Sequence, residues 1–182
     1  MVVPAQRAVR AAKIGVGVVL IALAASGALA QATPPPEDAA PDELGVGGAV
    51  LGALPPVAAP GYRLQMTELV WAPGAYATQH SHPLAQIACV QSGALGMTLQ
   101  EGKATVLRGG AGPRPASAEP MALDAEVILQ PRDCVAYDEL AAHTVHTVWN
   151  ASAETTVIWT ADLVEQDEPY TTYVGESATP AP

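Results

Sequence analysis

Residues Gly74–Gly93 read GAYATQHSHPLAQIACVQSG, and the spacing within this stretch decides the fold. His80 and His82 stand one residue apart, so on a β-strand, where side chains alternate between faces, both imidazoles reach the same face. Neutral imidazole offers a nitrogen lone pair near neutral pH, which makes histidine the commonest protein metal ligand. An isolated His-x-His is a weak signal, often no more than a polar strand face. Here the other two histidines of the chain, His143 and His146, stand together in HTVHTVWN, and there is none elsewhere. Four histidines in two tight pairs point to a metal site.

Outward from this stretch the sequence reads as strands. Between Tyr62 and Trp159, β-branched and apolar runs (YRLQMTELVWAPG, AQIACVQSG, ALGMTLQEG, AEVILQPRD, CVAYDEL, HTVHTVWN, TTVIWTADL) alternate with turn residues at intervals of about 8 to 12. No stretch in this region keeps a helical period over three turns, which predicts an all-β sandwich or barrel. Residues 107–120, LRGGAGPRPASAEP, predict a long glycine- and proline-rich loop. The chain has no phenylalanine, so its core must use Val, Ile, Leu and Ala with those of three Trp and five Tyr that lie inside.

The flanks differ in kind. Arg7, Arg10 and Lys13 precede an apolar run from Ile14 and an Ala28-Leu29-Ala30 triplet, the layout of a secretory signal peptide over residues 1–30 with cleavage after Ala30. The rival reading is an uncleaved anchor, because Ile14–Ala30 is just long enough to span a bilayer. Residues 31–60 are rich in Pro, Ala, Gly and acid and predict an extended linker, whose GVGGAVLGALPPV part is apolar enough to pack against a neighbour, residues 61–165 one compact domain, and residues 166–182 an acidic tail. Cleavage would leave five basic against 18 acidic residues, a formal charge of −13. So acidic a chain has no positive face for nucleic acid or an anionic membrane surface, and its expected partners are small molecules or cations. Export would place Cys89 and Cys134 where disulfides persist, although two buried thiols are an equally ordinary fate.

Gly74, His80, His82, Gln86 and Gly93 resemble the first motif of the cupin superfamily, in which a glycine, two histidines, a glutamate and a second glycine recur at this spacing. Only Gln86 departs, standing where the family has glutamate. His146 and Asn150 match the histidine and asparagine that end the second motif, whereas Pro131-Arg132-Asp133 lacks the glycine usual in the turn before it. The resemblance implies a jelly-roll barrel (double-stranded β-helix) and one divalent transition metal (Zn, Ni, Cu, Mn or Fe) held by His80, His82, Gln86 and His146. With no carboxylate among these ligands, Zn, Ni and Cu are expected over Mn and Fe, and the ion should attract anions. If the histidines point inward, alternation sends Tyr76 and Thr78 inward too, as pocket wall, as support behind the ligands, or as plain core. His143 is left as a pocket-mouth residue, a base behind the ligands or a solvated loop residue, and Asn150 as a structural residue. The barrel also brings the strands of Cys89 and Cys134 together, which implies a disulfide. The functions implied are a metal-dependent, oxygenase-like enzyme on a small organic molecule or a non-catalytic binding module, in either case with homodimerisation as an option.

Overall fold

The computed structural model describes residues 43–109 and 114–174. Among them are eleven strands and no helix: β1 Glu43–Leu54, β2 Tyr62–Ser81, β3 Leu84–Ser92, β4 Leu95–Glu101, β5 Thr105–Arg108, β6 Ser117–Pro120, β7 Glu126–Leu129, β8 Cys134–Asp138, β9 Val145–Asn150, β10 Thr156–Glu165 and β11 Thr172–Tyr173. Neighbours run β6-β5-β8-β3-β10-β2-β9-β4-β7, with β1 and β11 also on β2.

The long strand β2 turns this single ribbon into two layers. Its residues 62–71 pair with β10 and its residues 76–80 pair with β9. The change falls at Pro73, which has no N–H for a ladder, and Gly74, whose φ of 76° suits a residue without Cβ. One layer therefore holds β1, the first half of β2, β10, β3, β8 and β5; the other holds the second half of β2 with β9, β4 and β7.

Period-two alternation fills the space between the layers. In β10, Thr156, Ile158, Thr160, Asp162 and Val164 are buried while Trp159, Ala161 and Glu165 face outward. Leu84, Val90, Leu99, Leu129 and Ile158 form the densest part of the core. Aromatic bulk comes from tryptophan: Trp149 is buried against Gly96 on β4, where an added Cβ would lie 2.1 Å from the indole. Gly93, the last residue of the opening stretch, turns β3 into β4 at φ 75°, with its backbone against Thr156.

Three expectations need correction. Glu43–Leu54, expected within the linker, is strand β1, paired with β2 from Glu43↔Ala77 to Leu54↔Leu64. Its backbone satisfies an edge of β2 while nearly all its side chains stay exposed, so glycines and missing alternation hid it. The ends of the expected loop 107–120 lie in β5 and β6, which pair as a hairpin. In the turn that lacks the family's glycine, Arg132 itself takes φ 80°. Asp133 holds that turn, accepting from the Gln130 and Gly109 N–H groups and pairing with Arg108. The signal peptide expected over residues 1–30 and the first part of the linker lie outside the described residues.

Candidate metal centre

His80 sits near the end of β2, His82 just beyond it, and His146 on β9 directly across the ladder from His80. A register shift lies between Ala77 and His80. It reverses the alternation, so Ala77 faces the interior before the shift and His80 after it. One ring nitrogen from each of the three histidines lies within 4.8 Å of the others. The ring centroids are 4.3 to 5.2 Å apart.

The other nitrogen of each ring faces an acceptor. His80 Nδ1 lies 2.5 Å from the Thr78 carbonyl and His82 Nδ1 lies 2.8 Å from the Tyr170 carbonyl. A carbonyl only accepts, so both Nδ1 atoms carry the proton and both Nε2 lone pairs are left bare. His146 Nδ1 lies 3.8 Å from Glu139 Oε1, and these two buried atoms have no other partner among the described residues. Burial lowers the pKa of all three rings, and His80 and His82 further disfavour a proton on His146. His82 is pushed down to about 3, by burial first and by His80 second. Three neutral imidazoles, two of them with the tautomer fixed by a carbonyl, form a donor set that fits a divalent transition metal.

Gln86, on β3, lines the same cavity and is buried. Its amide is clamped: Oε1 accepts from the Tyr137 hydroxyl, and Nε2 donates to Asp162 Oδ1 at 2.8 Å and to Tyr170 Oη at 3.2 Å. Asp162 is directly opposite Gln86 in the β3–β10 register. A glutamate at position 86 would set two carboxylates against each other, a contact glutamine turns into a hydrogen bond. One lone pair of Oε1 remains for another donor or an ion.

The carboxylates missing from the ligand set stand just behind it. Glu139, with a side chain only 2% exposed, accepts the His82 N–H at 2.5 Å and faces His146. Burial pushes its carboxyl up to about 8, against the lowering effect of that N–H. Asp162 is fully buried, accepting from Gln86, Thr160 and Tyr170. The sequence reading missed Glu139, Asp162, Tyr137 and Tyr170. Asp162 had a legible signal, an acid in the buried phase of TVIWTADLVE, whereas Glu139 lies past the end of β8 and no period marks it.

The remaining expected residues separate. Tyr76 does not line the cavity; it packs with Trp149, Ala94 and Ala151, because the register shift puts it out of phase with the histidines. Thr78 contributes its carbonyl to His80. His143 is exposed and outside the histidine cluster. Asn150 is a buried hub, donating to the Trp71, Ala72 and Glu154 carbonyls and accepting from Ser152 and Thr156. Cys89 and Cys134 are register partners on β3 and β8, joined by a disulfide with Cα atoms 4.0 Å apart.

The histidines end a cavity of about 230 Å³ between the layers. Glu43 and Val46 of β1 and Tyr170 and Thr171 after β10 complete its walls, so segments expected in the linker and the tail help to build the site.

No family's sequence profile and no curated protein matches the chain. Solved structures do. L-ribose isomerase from Cellulomonas parahominis is 14% identical, with 72% of this chain and 70% of that one covered at a TM-score of 0.51. KdgF from Halomonas sp. (18% identity, 68% and 83% covered, TM-score 0.44) and a cupin 2 domain-containing protein from Halorhodospira halophila (18%, 72% and 72%, TM-score 0.43) are also similar. The two antiparallel layers, curled around a cluster to which the glycine-bounded motif brings His80 and His82 and β9 brings His146, have the fold of the cupin superfamily, and that is the fold of this chain.

Proposed function

We propose that this chain binds a divalent transition metal through His80, His82 and His146, with the amide oxygen of Gln86 as a fourth donor, and acts on a small organic molecule beside it. The observation that carries this reading is the convergence of one nitrogen from each of the three rings within 4.8 Å, with the Nδ1 atoms of His80 and His82 each turned to a carbonyl so that Nε2 is left for an ion. With one amide and no carboxylate among the donors, Zn, Ni and Cu are favoured over Mn and Fe. A metal held there would supply Lewis acidity or oxygenase-like chemistry at its open positions. The residues around it hold the imidazoles neutral, clamp Gln86 and screen the site from water. Elemental analysis of protein purified without chelator, followed by titration of the metal-free chain with zinc, nickel, manganese and ferrous iron, tests the reading. Binding no tighter than high micromolar for every ion refutes it.

A non-catalytic binding module is the second reading, favoured by Gln86, which cannot move a proton as glutamate does. Oxygen-uptake screening against flavonols, diketones and thiols separates the two, since metal without turnover selects the module. Two further parts of the proposal concern context. Export with cleavage after Ala30 agrees with the disulfide, and N-terminal sequencing of the secreted chain checks it. A homodimer would cover the outer face where Leu64, Met66 and Val70 of β2 lie beside Trp159 of β10 and Ile87 of β3, all exposed. Light scattering of the parent and of Trp159→Glu reports it: a parent that is monomeric at high micromolar concentration removes the dimer.

A further inference from the structure

We infer that the molecule taken by this centre is uncharged and mostly apolar, lodging about one ring in the cavity, with a single chelating oxygen group at one end. Only the chelating end rests on the metal reading above; size and polarity come from the cavity walls.

The polar lining is the three histidines, Gln86 and Tyr137 with Tyr170, Thr171 and Glu43. Away from them the lining is Val46, Leu69, Leu95, Met97, Val148 and Ile158, with Trp71 beside them. The Trp71 indole N–H is buried without a hydrogen-bond partner among the described residues, one donor in an otherwise apolar wall. A polyol needs a partner for each hydroxyl on desolvation, at a cost of several kcal/mol for each one left unmade, and these walls offer almost none.

Charge excludes a second class. Among the described residues no arginine or lysine lines the cavity, while Glu43 lies in its wall and Glu139 and Asp162 stand behind the histidines and Gln86. A dicarboxylate or phosphate ester would meet no fixed cation beyond the ion itself and would face the Glu43 carboxylate in the wall. The attraction for anions expected from an uncompensated ion is therefore weakened. Size gives the third limit. At about 230 Å³ the space is roughly one and a half times the 150 Å³ apolar cavity known to hold benzene, so the part of the molecule lodged between the layers is about one ring, while the partly open mouth sets no bound on what extends outside.

The test is calorimetric titration of the zinc-loaded full chain with maltol, a ring that is neutral in solution and chelates by releasing its single hydroxyl proton to the buffer, against oxalate as the dianion and ribose as the polyol. The expected result is maltol binding at least tenfold tighter than either. Ala88→Leu and Val148→Phe, which fill the cavity from β3 and β9, should weaken maltol at least tenfold with zinc content and melting temperature maintained. Oxalate or ribose binding as tightly as maltol overturns the inference, whether or not the variants fold. So does maltol binding unchanged in a folded, zinc-loaded variant. If the chain does not load zinc, the metal reading fails separately, and the cavity is tested on the metal-free chain with phenol. Phenol binding that Ala88→Leu abolishes supports the inference, and no phenol binding overturns it.

Discussion

Replacing Glu139 with glutamine removes one charge and little else, which makes it the sharpest probe of how this centre holds an ion. Glu139 Oε2 accepts the backbone N–H of His82 at 2.5 Å, while Oε1 stops 3.8 Å from His146 Nδ1. A movement of about 1 Å would bring that pair to hydrogen-bond length. A bond from imidazole N–H to carboxylate is roughly twice as strong as its neutral counterpart, and it makes the far nitrogen a better donor. Loss of such a partner behind a metal-bound histidine typically costs about 10- to 100-fold in affinity, or about 1.4 to 2.8 kcal/mol. Glu139→Gln should fall in this range, and Glu139→Ala at its upper end, because alanine also abandons the His82 N–H. The assay is competition for zinc and nickel against a chromogenic chelator, with near-ultraviolet circular dichroism as the folding control. It is run at pH 8.5, above the value of about 8 to which burial pushes this carboxyl. If both variants bind within twofold of the parent, the carboxylate plays no part and the reasoning is wrong.

Three other outcomes follow from the same structure. Asn150→Ala should destabilise the fold by about 4 kcal/mol in urea titration: two amide hydrogens and two lone pairs serve six contacts, equivalent to about four full bonds of about 1 kcal/mol each. A loss below about 1 kcal/mol would show that the hub carries little. Cys89→Ser with Cys134→Ser should cost about 4 kcal/mol from the chain entropy of a 45-residue separation, measured against the oxidised parent. The stability of the metal-free chain should peak near pH 6.5. Below this, His80, His82 and His146, whose pKa values are lowered in the fold, take up protons on unfolding, and stability falls with acid by up to about 1.4 kcal/mol per pH unit for each ring. Above it Glu139, raised to about 8, releases its proton on unfolding, and stability falls as pH rises to about 8. Stability that instead climbs steadily from pH 6.5 to 8 would contradict the placement of Glu139.

Much of this architecture was legible because strands write their burial in period two and because His80, His82 and His146 carry their chemistry in their identity. What was not legible has physical causes. Strand β1 pairs through its backbone and leaves Leu44, Val50, Leu51 and Leu54 exposed, so no hydrophobic face announced it. Tyr76 was drawn into the pocket by an alternation that a single register shift reverses two residues later. The turn at Arg132 looked deficient without glycine, yet Asp133 supplies enough hydrogen bonds to hold a non-glycine residue at positive φ. Glu139 reaches the site from 57 residues beyond His82, a distance over which sequence pattern carries no information about contact.

The wide sequence separations that close the centre also set the order in which it is assembled. His82 obtains its acceptor from Tyr170, 88 residues later, and Gln86 obtains its own from Asp162, 76 residues later. Contacts of this range form late in folding, after the entropy of closing long loops has been overcome. His82 thus acquires its fixed tautomer, and Gln86 its clamp, only when β10 and the segment after it have docked, whereas His80 finds its acceptor two residues away in Thr78. Were the chain exported and metal-bound as proposed, the ion would be drawn from the compartment where folding finishes.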